Sequence, residues 1–161
     1  MLVLLACAAA TPTHAQSAGV ATVAPLVLRG LDGHTRSLAA AELAKFTRRD
    51  TTVAAHHVVG RFGGVALTDV LGLAGAPAGD SLRGPALRTY VRVEGADGYT
   101  VILTLAEIDA GLGGRLALLA DRKDGAALPP GDGPYQLVVP GDARPARWVR
   151  RVVRLSLERA P

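Results

Sequence analysis

The sequence predicts an α+β fold: a mixed β-sheet interrupted by short helices. Three observations carry this reading. The C-terminal stretch alternates Val153, Leu155 and Leu157 with Arg154, Ser156 and Glu158, the period of a half-buried strand. Asp-Gly pairs at Asp32-Gly33, Asp97-Gly98 and Asp124-Gly125 punctuate β-rich runs as tight turns. The helical stretches are short and do not alternate regularly with strands, which argues against βαβ winding.

Taken in order, Pro25-Leu26-Val27-Leu28-Arg29 reads as a strand closed by the Asp32-Gly33 turn. Ser37 is read as the N-cap of a helix through Phe46, with Glu42 in its first turns. Thr51 to Val59 is β-branched enough for one strand, and Gly60, Gly63 and Gly64 mark a following loop. Thr68 is read as capping a helix that runs from Asp69 to about Ala74 and ends at Gly75 and Pro77. Leu87 to Glu94 and Tyr99 to Leu103 form a hairpin around Ala96-Asp97-Gly98. Thr104 and Glu107 are spaced as a capping box. Leu116 to Ala120, Tyr135 to Val139 and the C-terminal alternation supply the remaining strands.

The 161 residues suit one domain with a real core, and 49% hydrophobic against 20% charged residues excludes disorder. A single cysteine excludes a disulfide framework and a thiolate-rich metal site. Aromatic residues at 4% leave little for base stacking, so no nucleic-acid partner is expected. Only Lys45 and Lys123 are lysine among the 18 basic residues, and an arginine excess suits planar anions or reflects base composition.

Residues 1–15 read as a signal peptide. Met1 to Ala10 is apolar but too short to span a bilayer. Thr13-His14-Ala15 places small residues for cleavage before Gln16, although no basic residue precedes Arg29. The expectation is a periplasmic or secreted single domain over residues 16–161, not integral to a membrane and without cysteine once processed. Lipidation at Cys7 is the alternative, and it needs a start further upstream.

Among the motifs, the C-terminal arginines divide. Arg150, Arg151, Arg154 and Arg159 read as a solvated face, whereas Arg144 and Arg147 sit in a turn where an anion could bind. His56-His57, read as strand neighbours, would point to opposite faces and could not chelate one metal together. No Gly-x-Ser-x-Gly elbow supports a hydrolase, and Gly60-Arg61-Phe62-Gly63-Gly64 lacks the spacing of a phosphate loop. Asp97 reads as a turn residue, and Tyr99 packs on a strand or presents its phenol at a pocket mouth.

Several blocks then resemble a known family in order and spacing. Ala96-Asp97-Gly98-Tyr99-Thr100 followed by Leu105-Ala106-Glu107-Ile108-Asp109 looks like the central block of the sulfite-oxidase-type molybdopterin-binding domain. Leu118-Leu119-Ala120-Asp121 and Phe62-Gly63-Gly64-Val65 to Leu71 resemble two more blocks. Gly133-Pro134-Tyr135-Gln136-Leu137-Val138-Val139-Pro140-Gly141-Asp142, then Ala146-Arg147-Trp148-Val149, is the most specific. The resemblance runs from Pro25 to Leu157.

It implies a mixed-sheet α+β fold, a pocket for the pyranopterin-dithiolene cofactor, a cysteine thiolate on molybdenum and basic residues on the cofactor phosphate. Arg147 matches one such basic position. The family's cysteine would fall in or near Thr52 to His57, where none stands, and its upstream Arg-Asn-His segment has no counterpart. The resemblance without that cysteine, together with the signal-peptide reading, implies a small stand-alone exported member that does not run sulfite-oxidase-type chemistry by itself. Such a member would bind an anionic ligand, or a membrane or periplasmic redox partner. The candidate binding residues are Arg147, Arg144, Arg61, Tyr99 and His56; no catalytic residue or metal ligand is expected. No cofactor is expected either. The alternative is a molybdopterin-dependent oxidoreductase with a non-Cys ligand set.

Overall fold

The computed structural model describes residues 25–161; the segment read as a signal peptide lies outside the described residues. The fold is α+β, as expected, with two sheets sharing one core. β1 (Leu26–Arg29) turns at Asp32-Gly33 into β2 (Thr35–Leu38). Helix α1 (Ala40–Leu43) leads to β3 (Arg48–Ala55), β4 (Val58–Ala66) and helix α2 (Leu67–Gly72). The hairpin β5 (Thr89–Gly95) and β6 (Thr100–Thr104) precedes helix α3 (Leu105–Ile108). β7 (Leu118–Lys123), β8 (Ala126–Ala127), β9 (Gln136–Val138) and β10 (Val152–Arg159) complete the chain.

One sheet has the order β2-β1-β10-β5-β6. Its β1–β10 pair is parallel, with Val27 opposite Arg154, and its other pairs are antiparallel, so the sheet is mixed. The second sheet has the order β3-β4-β7-β8, with β9 also on β7, and is antiparallel throughout. A continuous cluster joins them: Leu28, Val91, Leu103 and Leu155 come from the first sheet, Phe62, Leu119 and Leu137 from the second. Backbone bonds also tie β9 to the chain before β10, with Leu137 N–H on the Val149 carbonyl at 2.8 Å and Val152 N–H on the Tyr135 carbonyl at 2.8 Å.

Several local expectations are corrected. Ser37 caps no helix; it lies in β2 opposite Val27, because the Asp32-Gly33 hairpin extends its ladder to the fully buried Leu38. Helix α1 starts after Ala39, whose N–H is accepted by the Glu42 carboxylate at 3.1 Å. Thr68 lies inside α2, which starts after Ala66. Leu87 belongs to a 3₁₀ turn, Gly84–Arg88, opened by Pro85, and the strand begins at Thr89.

The glycines read as a loop lie inside β4. A Cβ at Gly64 would stand 2.2 Å from the Leu119 carbonyl oxygen, and one at Gly63 would stand 2.6 Å from Asp50 Oδ1. At Gly64 the β7 backbone passes too close for a side chain, whereas at Gly63 the close neighbour is the movable Asp50 carboxylate. The ladder between β4 and β7 shifts register between Gly63 and Gly64, a β-bulge at the same place. Ser156, assigned to the solvent face, is 1% exposed, because β10 is the central strand of its sheet.

Candidate functional site

The 139–149 turn carries an ionic cluster through Asp142 and Arg147 and borders a cleft through Pro145, Ala146 and Trp148. On the paired side, Thr104 caps α3 by accepting the Glu107 N–H at 3.2 Å. The Glu107 carboxylate does not complete a capping box. It accepts from Arg147 Nη1 at 3.0 Å and lies 3.5 Å from Arg115 Nε. Asp142 takes Arg147 in a two-point grip, Nε on Oδ2 at 3.0 Å and Nη2 on Oδ1 at 2.6 Å, and also takes Arg115 at 3.3 Å. Two arginines and two carboxylates thus answer one another, and a fork-shaped guanidinium suits such a grip. Asp142 first, then Glu107, raises Arg147 far above the ordinary arginine value, so it stays charged.

On the other side lies a cleft of about 510 Å³, the size of a small-molecule site. Its floor is Phe62 and Trp148, edge to face at 5.7 Å and 81°, both buried. Trp148 Nε1 donates to the Val139 carbonyl at 3.1 Å, which fixes the indole. Gln136, 8% exposed, lines the same floor. The Lys123 side chain comes from the β7 position opposite Phe62, and its Nζ stands 5.6 Å from the Phe62 ring centre. On the exposed rim, Asp97 accepts the Tyr99 N–H at 3.1 Å and Arg150 stands 3.7 Å from Asp132.

Of the candidate residues, Tyr99 alone lines this cleft. Its hydroxyl donates to the Ala146 carbonyl at 2.6 Å, tying the β5–β6 turn to the 145–147 turn. Arg147 belongs to the paired cluster, and Arg144 is exposed two residues after Asp142. Arg61 points from β4 to Asp50 at 3.0 Å. His56 and His57 are not strand neighbours. They form the β3–β4 turn, with His56 at φ 55° and the two rings 3.8 Å apart, both exposed. Among the described residues no three His, Cys, Asp or Glu side chains gather as a metal site.

Phe62, Gln136, Lys123 and Trp148 were not singled out from sequence as site residues. Their convergence depends on the β4–β7 register and on the β9 pairing, which local patterns do not carry. The one available signal was the sole tryptophan in a chain with few aromatics.

The two sheets and their short helices define a small α+β domain. The family model described as oxidoreductase molybdopterin binding domain matches residues 25–161, and the chain belongs to that family. Among solved structures, the sulfane dehydrogenase SoxCD from Paracoccus pantotrophus is similar in fold, with a TM-score of 0.63 and 21% identity. That match covers 83% of this chain and 38% of the other, so this chain spans well under half of that protein's length. No curated protein matches.

The family implies molybdopterin, and the residues present do not fit a thiolate-held molybdenum. Cys7, the only cysteine, lies outside the matched residues. In the stretch where the thiolate would stand, the inward side chains Val53 and Ala55 are each 2% exposed and packed in the core. The arginine expected to meet a phosphate already meets two carboxylates.

Proposed function

We propose that this is an exported molybdopterin-binding-fold domain that performs no molybdenum oxo-transfer of its own and acts by binding an anionic ligand in the Phe62–Trp148 cleft. The observation that carries the proposal is the donor set: a metal held in a defined, open geometry needs strong protein ligands, and Val53 and Ala55 fill the inward positions of the stretch that should supply one. Export follows from the apolar start and the Thr13-His14-Ala15 cleavage pattern. In this reading the 139–149 turn and its arginine cluster have become a scaffold for the cleft.

The test is elemental analysis and pterin fluorescence on protein recovered from its native host, with cell fractionation alongside. The expected result is protein in the exported fraction with neither molybdenum nor pterin. Stoichiometric molybdenum with a fluorescent pterin oxidation product would overturn the proposal in favour of an oxidoreductase with a non-Cys ligand set. A reproducible crosslinked redox partner seated on the cleft rim would overturn the ligand assignment in favour of protein docking.

A further inference from the structure

We infer that the cleft is selective for a flat, singly charged organic acid, an aromatic carboxylate with a neutral polar group away from the acid, and that it disfavours phosphates. This rests on the reading of the domain as a binding domain and names the ligand class.

Four features fit that chemistry. Phe62 and Trp148 line the base of the cleft at 2% and 5% exposure, and because Trp148 Nε1 is already bonded, what they present to a ligand is a narrow, apolar aromatic margin. Gln136 is more than nine-tenths buried, and its carboxamide makes no hydrogen bond to another described residue. Buried polar side chains are normally satisfied. Thr89 Oγ1 is the one described side-chain atom both sealed off and unpartnered, so the Gln136 amide is not sealed off and reaches the open volume of the cleft. A carboxamide donates and accepts, as a neutral hydroxyl or carbonyl requires.

The third feature is Lys123. Of the two cations lining the cleft, Arg150 faces Asp132, whereas Lys123 has no carboxylate within 4.0 Å among the described residues. Its ammonium supplies one positive charge beside the aromatic floor. The fourth is the rim, where Asp97 places a negative charge that no cation of the cleft answers, Asp132 being paired with Arg150. One ammonium balances a carboxylate, while a doubly charged phosphate leaves its second charge unanswered beside Asp97.

The probe is 4-hydroxybenzoate, titrated into purified metal-free protein. Emission of Trp148, the only tryptophan, and ligand-observed NMR read its binding. The expected result is saturable one-to-one binding, with 4-hydroxybenzyl alcohol and phenyl phosphate each weaker. Lys123→Met should weaken 4-hydroxybenzoate by about tenfold or more, the range of a lost charge-assisted bond. Gln136→Leu should weaken it less, and Arg83→Ala, outside the cleft, should leave it unchanged. Circular dichroism establishes that each variant is folded. Absence of saturable binding, phenyl phosphate binding as tightly, or an unaffected Lys123→Met would overturn the inference. Molybdenum in native protein would instead overturn the preceding reading, so the two failures are distinct.

Discussion

Residues 146–148 separate two regions of opposite character. On one side Arg147 and Arg115 are gripped by Asp142 and Glu107, so that each guanidinium already faces a carboxylate of the same chain. On the other, Lys123 and Gln136 line a cleft, and among the described residues neither side chain has a hydrogen-bond or carboxylate partner. The first region has more charge, and the second has the polar groups left unanswered. Density of arginine marks a ligand site only where the arginines are not already answered by carboxylates of the same chain.

The largest expected effect comes from removing the wall that the two regions share. Trp148→Ala empties the floor beside Phe62 and breaks the bond to the Val139 carbonyl. A loss of about 3–5 kcal/mol is expected in urea unfolding, the cost of truncating a buried aromatic. A loss under about 1 kcal/mol would mean that the floor is not packed as described.

Next in size is the paired cluster itself. Arg147→Ala leaves Asp142, whose side chain is 11% exposed, with Arg115 alone at 3.3 Å. Because Arg147 is itself one-third exposed, the expected destabilisation is about 1–2 kcal/mol rather than that of a fully buried pair. Asp142→Asn sharpens the contrast from the other direction. It frees the Arg147 fork, so inorganic phosphate should bind the variant, seen as a phosphate-dependent rise in melting temperature that the parent protein lacks. An equal rise in the parent would erase the difference between the regions.

The parts of this arrangement that were legible in the sequence are those set by neighbours along the chain. The Asp-Gly turns and the Thr104 cap depend on residues within three positions, and they stand where local chemistry puts them. The mixed-sheet fold followed from strand patterns and from ordered family blocks. What was not legible depends on neighbours across space. Gly63 and Gly64 look like a loop until Asp50 and Leu119 are placed against them. Ser156 looks solvated until β10 is seen between β1 and β5. Arg147 looks free until Glu107, forty residues earlier in the chain, turns its carboxylate away from its own helix cap. Lys123 looks like one more exposed cation beside a turn until the register sets it opposite Phe62.

The smallest effect tests whether the rule for answered charges holds elsewhere on the molecule. Glu158 accepts from Tyr90 at 2.8 Å and from Arg92 at 2.9 Å across β10 and β5. The Tyr90 hydroxyl first, then Arg92, holds its carboxyl below the ordinary glutamate range. A depressed carboxylate contributes stability above its unfolded value, about pH 4.3, and loses it as pH falls through the lower folded value. Glu158→Gln should therefore cost up to about 1 kcal/mol near neutral pH, with the gap to the parent closing as the pH is lowered past that window. Melting curves across pH 2 to 7, about the carboxylate range, read this directly. A gap that stays constant with pH would mean that the Glu158 contacts act by shape rather than charge. 4-Hydroxybenzoate binding by Glu158→Gln should match the parent, since Glu158 does not line the proposed cleft and its answered cluster, like that of Arg147, contributes to stability.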